Sequence, residues 1–296
     1  MLIQLNQLTI QQRQSWLQHA IAPRPIAFVS TIDKNGNVNL SPFSFFNLFS
    51  TNPPIVIFSV ARKARDGSTK HTLQNIEEVP EVVINICDES MVQQVSLSSC
   101  EYEKNIDEFI KTGFTKEAAK TVQPPMVKES KIKLECKVTE IKSLGNEPGA
   151  GQLIFAEVLL LHINDLILND NGTMIDQKKF KTIARLGGDY YAVMNEQNLF
   201  EVVKPNKMLG IGVDALPNSI KSSKVLTGNN LGQLANVQQI PNVLPNFENE
   251  RLKYIVQYYS INPLEMENEL HMYAAELLAN NNVADAWQVL LAGDNL

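Results

Sequence analysis

The sequence predicts a mainly β domain with added helices, a small barrel over residues 1–200, followed by a helical C-terminal extension over 201–296. Three observations carry this. Short apolar runs rich in β-branched residues and bounded by turn residues recur at Pro25–Ile32, Ile55–Val60 and Glu81–Cys87. Two longer segments, Lys131–Leu144 and Gln152–Asn164, run near period two and are joined by the glycine-rich turn Gly145–Gly151. Beyond Phe200 the apolar spacing becomes helical.

In chain order, Thr9–His19 reads as a helix with Thr9 as N-cap and Ile10, Trp16 and Leu17 available to pack on the barrel. Arg24 stands between two prolines and is held extended, placed for either a structural salt bridge or a substrate contact. Pro25–Ile32 is the first strand. Asp33-Lys34-Asn35-Gly36 is a hairpin turn, because Asn-Gly tolerates positive φ. Val38–Leu40 begins the return strand and Ser41-Pro42 ends it, since proline has no N–H for the ladder. Ile55–Val60 follows through Pro53-Pro54, and a helix opens over Thr72–Ile76. Asp88 caps a helix running to Leu97, and residues 101–120 form short helices over the barrel. Ser98-Ser99-Cys100 reads as a turn, for no His/Asp partner pattern accompanies it. His162, set among apolar neighbours, reads as a satisfied barrel residue.

The C-terminal region begins with Lys204-Pro205-Asn206 as linker. Gly210–Ala215 formally matches a dinucleotide fingerprint. It fails on context, because no strand precedes it, Pro217 interrupts the helix it needs, and no acidic residue follows at the required distance. Residues 218–245 read as polar connection with a turn at Thr227–Asn230. Three helical patterns then follow, on Leu252, Ile255, Val256 and Tyr259, on Met266, Leu270, Tyr273 and Leu277, and on Val283, Ala286, Trp287 and Leu290. Asn281-Asn282 divides the last two.

Composition narrows the function classes. Apolar residues make 44% and charged residues 20% of the chain, ordinary for a soluble globular protein. A formal net charge of -6 argues against nucleic acid as partner. No apolar run approaches a membrane span, and MLIQLNQLTIQQRQSW lacks the basic start and apolar core of a signal peptide. Cys87, Cys100 and Cys136 are widely spaced, which suits reduced thiols in the cytoplasm. Four scattered histidines supply no metal-site spacing.

Chemistry concentrates between Pro23 and Asn75. Ser41, Ser44 and Asn47 are interleaved with Phe43, Phe45 and Phe46. Two readings stand: plain core, or the apolar wall and polar edge that a flat heteroaromatic ring requires. Downstream, Arg62, Lys63, Arg65 and Lys70 place four cations in nine positions of an acidic chain. They precede a helix start, where Ser68–Thr72 can add hydroxyl and N–H donors. The alternatives are a phosphate site and an ordinary solvated basic loop.

PRPIAFVSTIDKNGNVNLSPFSFF, then NPPIVIFS, then ARKARDGSTKHTLQNI, resembles the flavin reductase-like family of FMN-binding split-barrel proteins, which includes nitrilotriacetate monooxygenase component B. The resemblance spans roughly residues 15–200, and Leu186-Gly187-Gly188 through Tyr190 resembles the end of the family's barrel domain. It implies a split β-barrel that forms a homodimer with FMN near the interface, FAD being the less favoured flavin. It also implies that Ser41, Phe43, Ser44, Phe45 and Phe46 line the ring, and that Ser59, Arg62, Lys70 and Thr72 hold the ribityl chain and phosphate. Asn75 is a weaker candidate, and Tyr190 a further one for the flavin pocket of either subunit. His71 stands where many members carry an acidic residue.

The resemblance further implies an oxidoreductase that moves hydride from NAD(P)H to FMN N5, for a small acceptor or a partner oxygenase. Such chemistry requires no catalytic acid or base, and no metal. A non-catalytic FMN-binding electron carrier is the alternative on the same barrel. A third reading makes the helical extension a partner-binding module.

Overall fold

The computed structural model describes residues 1–202, 205 and 208–294; of the linker expected at 204–206, Lys204 and Asn206 lie outside the described residues. The chain divides into two compact units, Met1–Phe200 and Glu201–Leu296.

The first unit opens with α1 (Ile10–Ala20). Thr9 caps it in a reciprocal box, its hydroxyl accepting from Gln12 N–H while the Gln12 side chain accepts from Thr9 N–H. None of its residues is buried, and Trp16 and Leu17 are 46% and 39% exposed, so of the expected packing only half-buried Ile10 meets the barrel, where its Cγ2 lies against Gly149 in the turn between the two long strands.

The strands follow as β1 (Arg24–Pro25), β2 (Ala27–Ile32), β3 (Val38–Phe43), β4 (Phe46–Thr51) and β5 (Pro54–Ser59). Then come α2 (His71–Glu78), β6 (Glu81–Ile86), α3 (Val92–Leu97), α4 (Glu108–Thr112), β7 (Lys116–Glu117) and β8 (Met126–Val127). Strands β9 (Ile132–Ser143), β10 (Gln152–Ile163), β11 (Ile183–Arg185) and β12 (Tyr191–Val193) complete the unit.

Seven strands form one antiparallel sheet in the order β3-β2-β6-β9-β10-β5-β4. Strands β3 and β4 are its two edges, yet only Ser44 and Phe45 separate them in the chain. Two residues cannot span a flat seven-stranded sheet, since strands lie about 4.8 Å apart. The sheet is therefore curled until its edges meet along a seam. Register shifts in β9–β10 and in β4–β5 mark irregularities of the kind that bend strands.

The edge position explains why Ser41-Pro42 does not end β3. Pro42 stands opposite Phe28, and an edge strand tolerates a residue that donates nothing on its open side. The segment after Phe43 enters β4, a strand not assigned from the sequence, whose side chains are mostly exposed.

Strand β2 alternates between two cores. Ala27 and Val29 point into the barrel with Phe43, Phe58, Val82, Ile84, Cys136 and Ile154, while Phe28, and Ile26 just before the strand, pack outward with Leu40, Met91, Val95, Phe109 and Phe114. Burial on both faces is why this strand reads as an unbroken apolar run.

The second unit holds α5 (Asn218–Lys221), α6 (Gly228–Ala235), α7 (Glu250–Tyr258), α8 (Pro263–Ala279) and α9 (Val283–Asp294). Residues 218–245 are thus not all connection. Thr227 caps α6 through a box with Asn230, so the expected turn is a helix start. Asn281 adopts positive φ and Asn282 accepts from Asp285 N–H, which separates α8 from α9. Trp287, Leu270, Ala274, Leu278 and Leu234 form this unit's core. Among the described residues, no helix is long and apolar enough to cross a membrane.

Candidate functional site

The seam sets Ser41–Phe46 where the two sheet edges meet. Phe43 is 5% exposed and stacks at a tilt on Phe58, with ring centroids 5.5 Å apart. It is a core residue whose ring also lies 5.3 Å from Lys70 Nζ. Phe45, by contrast, is 44% exposed, with the Arg24 guanidinium 6.0 Å from its ring centroid. Phe46 is half-buried, pairs with Phe58 across β4–β5, and packs on the barrel core. Ser59 N–H donates to Phe45 carbonyl oxygen at 2.8 Å and ties the crossing to β5.

Among the described residues, Arg24 forms no ion pair with an acid. Its Nη1 donates to the Gln18 and Ile21 carbonyls at 2.5 Å each, its Nη2 to the Leu186 carbonyl at 2.9 Å, and its Nε reaches Ser44 Oγ at 3.5 Å. Burial, then the charge of Arg185, lowers its pKa. Gly187 follows Leu186, and a Cβ there would lie 2.2 Å from His19 Cδ2, so any larger residue must displace that ring. Tyr190 is exposed.

The basic segment folds back on itself before α2. Lys63 N–H donates to Ser68 carbonyl oxygen at 3.0 Å, and Gly67 N–H to Lys63 carbonyl oxygen at 2.8 Å. Arg62 Nη1 donates to Gly67 carbonyl oxygen at 3.1 Å, while its Nε is buried and has no partner among the described residues. Lys70 sits at the N-cap of α2 and makes no capping bond, as a pure donor cannot. The segment thus ends in a helix N-terminus with cations around it. Burial lowers the pKa of Lys70; the nearby Glu101 charge opposes that and Lys63 adds to it. Burial also lowers His71, reinforced by Lys63 and Lys104.

Beside this helix start is an open pocket. Of the nine residues singled out from sequence, it gathers Ser41, Lys70 and Thr72. Phe43, Ser44, Phe45, Phe46, Ser59 and Arg62 do not line it. Thr72 is buried and its hydroxyl accepts from Asn39 Nδ2 at 2.9 Å. Asn75 donates to Thr31 Oγ1 at 3.1 Å, a packing role, and borders a smaller neighbouring pocket.

The opposite wall comes from Ser98–Tyr102 and Glu108, none of which the sequence reading named as a site residue. Glu108 is buried, and its carboxylate accepts from Leu40 N–H at 3.0 Å. Burial raises its pKa, and the Leu40 bond opposes the rise. Such long-range pairing leaves no local signal.

The domain model described as "Flavin reductase like domain" matches residues 19–184. The chain belongs to the flavin reductase-like family. An uncharacterized protein of Aquifex aeolicus is 36% identical over 171 residues, which cover 58% of this chain and 84% of that one. Nitrilotriacetate monooxygenase component B from Bacillus cereus shares 32% identity with a TM-score of 0.63, covering 68% of this chain and 98% of that chain. A split-barrel candidate flavin reductase from Shewanella frigidimarina shares 26% identity with a TM-score of 0.57, covering 67% and 96% respectively. The seamed sheet is thus the family's split barrel, and the family places this member among flavin-related oxidoreductases and electron carriers.

Proposed function

We propose that this chain binds FMN and acts as an oxidoreductase of the flavin reductase type, with NAD(P)H as hydride donor and a small acceptor or partner oxygenase downstream. The observation that carries the reading is the buried, unpartnered Arg62 Nε in a cation-rich turn leading into the α2 N-terminus. A buried guanidinium N–H without an acceptor is costly, and a phosphate oxygen relieves it. The residues present fit a phosphate-bearing flavin.

Bound FMN would supply the redox chemistry, accepting hydride at N5 and passing electrons on. The chain's own residues bind and orient. Arg62, Lys70 and the first turn of α2 hold the phosphate, and Thr72 and Ser59 stand for the ribityl hydroxyls. Backbone groups of Ser41–Phe46 at the seam meet the ring edge. FAD is the less favoured flavin, because the site offers one compact cation cluster.

The same proposal extends to a homodimer. Phe45, Leu48 and Phe49 leave an apolar strip exposed at and beside the β4 edge, where a second copy would cover it. Three cysteines without a bridge suit a cytoplasmic setting.

The deciding experiment records the visible spectrum of the FMN-loaded protein before and after anaerobic NADH, then NADPH. Bleaching supports a reductase. A band that persists with both refutes nicotinamide dependence and favours the electron carrier. No band after added FMN refutes the site.

A further inference from the structure

The cation cluster already holds an anion of its own. Glu101 Oε2 lies 3.4 Å from Lys63 Nζ and 3.4 Å from Arg65 Nη2, and its charge reaches Lys70. Glu101 lies on the Ser98–Tyr102 wall of the pocket, across from Lys63, Lys70 and Thr72. Two of the four cations gathered before α2, Lys63 and Arg65, therefore pair with one carboxylate that arrives from elsewhere in the chain, and Arg65 also pairs with its neighbour Asp66 at 3.4 Å.

We propose that Glu101 is an internal competitor for the phosphate of the bound flavin, and that this competition makes the flavin exchangeable. The inference rests on the phosphate-site reading above. Its physical basis is a difference in strength. Glu101 is a monoanion with a side chain 56% exposed, and its partners Lys63 and Arg65 are 24% and 75% exposed. Exposed ion pairs of this kind are weak and screened. A phosphate monoester carries about -1.5 to -2 charges at neutral pH and three acceptor oxygens. It outcompetes the carboxylate, including at Arg62 Nε, which Glu101 leaves unmatched. On release, Glu101 returns to the cations and relieves their mutual repulsion. Glu101 thus weakens flavin binding without touching the ring. Riboflavin, which lacks the phosphate, leaves the Glu101 pairs intact and escapes the competition.

The test titrates FMN and riboflavin into flavin-free wild type and Glu101→Gln at about pH 7.5, where the phosphate is mostly dianionic, following flavin fluorescence. Stopped-flow dilution gives the release rate, and a thermal melt confirms that the variant folds. Two weak exposed ion pairs set the expected scale. Glu101→Gln binds FMN roughly threefold tighter or more and releases it correspondingly more slowly, while riboflavin affinity stays within the error of wild type. Inorganic phosphate, added as a competitor, becomes more potent by a similar factor. Unchanged or weaker FMN binding by the variant overturns the proposal, as does equal tightening of riboflavin. A wild type that binds neither flavin, or binds both equally, overturns the underlying phosphate site instead, and the competition with it.

Discussion

Glu135 offers a quantitative test of how the barrel is held. Its carboxylate is fully buried on β9 and accepts four hydrogen bonds, from Lys120 N–H at 2.8 Å, Thr121 N–H and hydroxyl at 2.5 Å each, and His162 Nε2 at 2.6 Å. Burial pushes its pKa up. The bonds from Thr121, Lys120 and His162 outweigh that and hold it at about 2, against an ordinary 4.5.

A carboxylate depressed in the folded state contributes stability that is complete above its unfolded pKa and is lost as pH falls through its folded one. The window here runs from about 4.5 down to about 2. A gap of about 2.5 pH units corresponds to about 3 kcal/mol, of which about 2 kcal/mol is gone by pH 3. Glu135→Gln removes the titration and leaves the amide NH2 facing donors. Urea unfolding of both proteins between pH 7 and 3, followed by circular dichroism, should show a wild-type advantage that shrinks by about 2 kcal/mol across that range. A difference that stays constant with pH would refute the reasoning.

Lys70→Met removes a largely buried cation from the phosphate site; FMN affinity should fall about tenfold or more with riboflavin affinity little changed, as read by flavin fluorescence titration. Gly187→Ala drives a methyl into the His19 ring and should destabilise the first unit by about 1–3 kcal/mol. The pair His19→Ala with Gly187→Ala should recover most of that in chemical unfolding. Trp287 is fully buried and its Nε1 has no partner among the described residues, so Trp287→Phe trades lost volume against removal of an orphan donor. It should cost far less than Trp287→Ala, for which about 3–5 kcal/mol is expected on calorimetry.

Local chemistry was legible where the chain answers to its neighbours. The Asp33–Gly36 turn, the Thr9 cap and the Asn281-Asn282 break each depend on backbone geometry or short-range hydrogen bonds that a few residues encode. The four cations before α2 were equally visible as a cluster. Strand β4 was not, because its side chains are mostly exposed and offer no alternation. Thr227 looked like a turn, since a capping residue and a turn residue use the same side-chain bond. Glu101 and Glu108 escaped notice because their partners lie far away in sequence, which no period or motif records. Phe43, Phe45 and Phe46 looked alike on the page, and only the seam separates one core ring from its half-buried and exposed neighbours.

Arg24 has a reach that its modest sequence setting conceals. Its guanidinium grips carbonyls at the exit of α1 and the carbonyl of Leu186, 162 positions later. The split barrel is thus latched near both of its chain ends by one side chain that cannot let go of its charge. A tag, truncation or partner that pulls α1 away strips acceptors from a buried guanidinium and loosens the β11–β12 hairpin in the same motion. The two ends of the domain behave as one mechanical part, and a disturbance entered at the first turn of the chain is felt at its last strand.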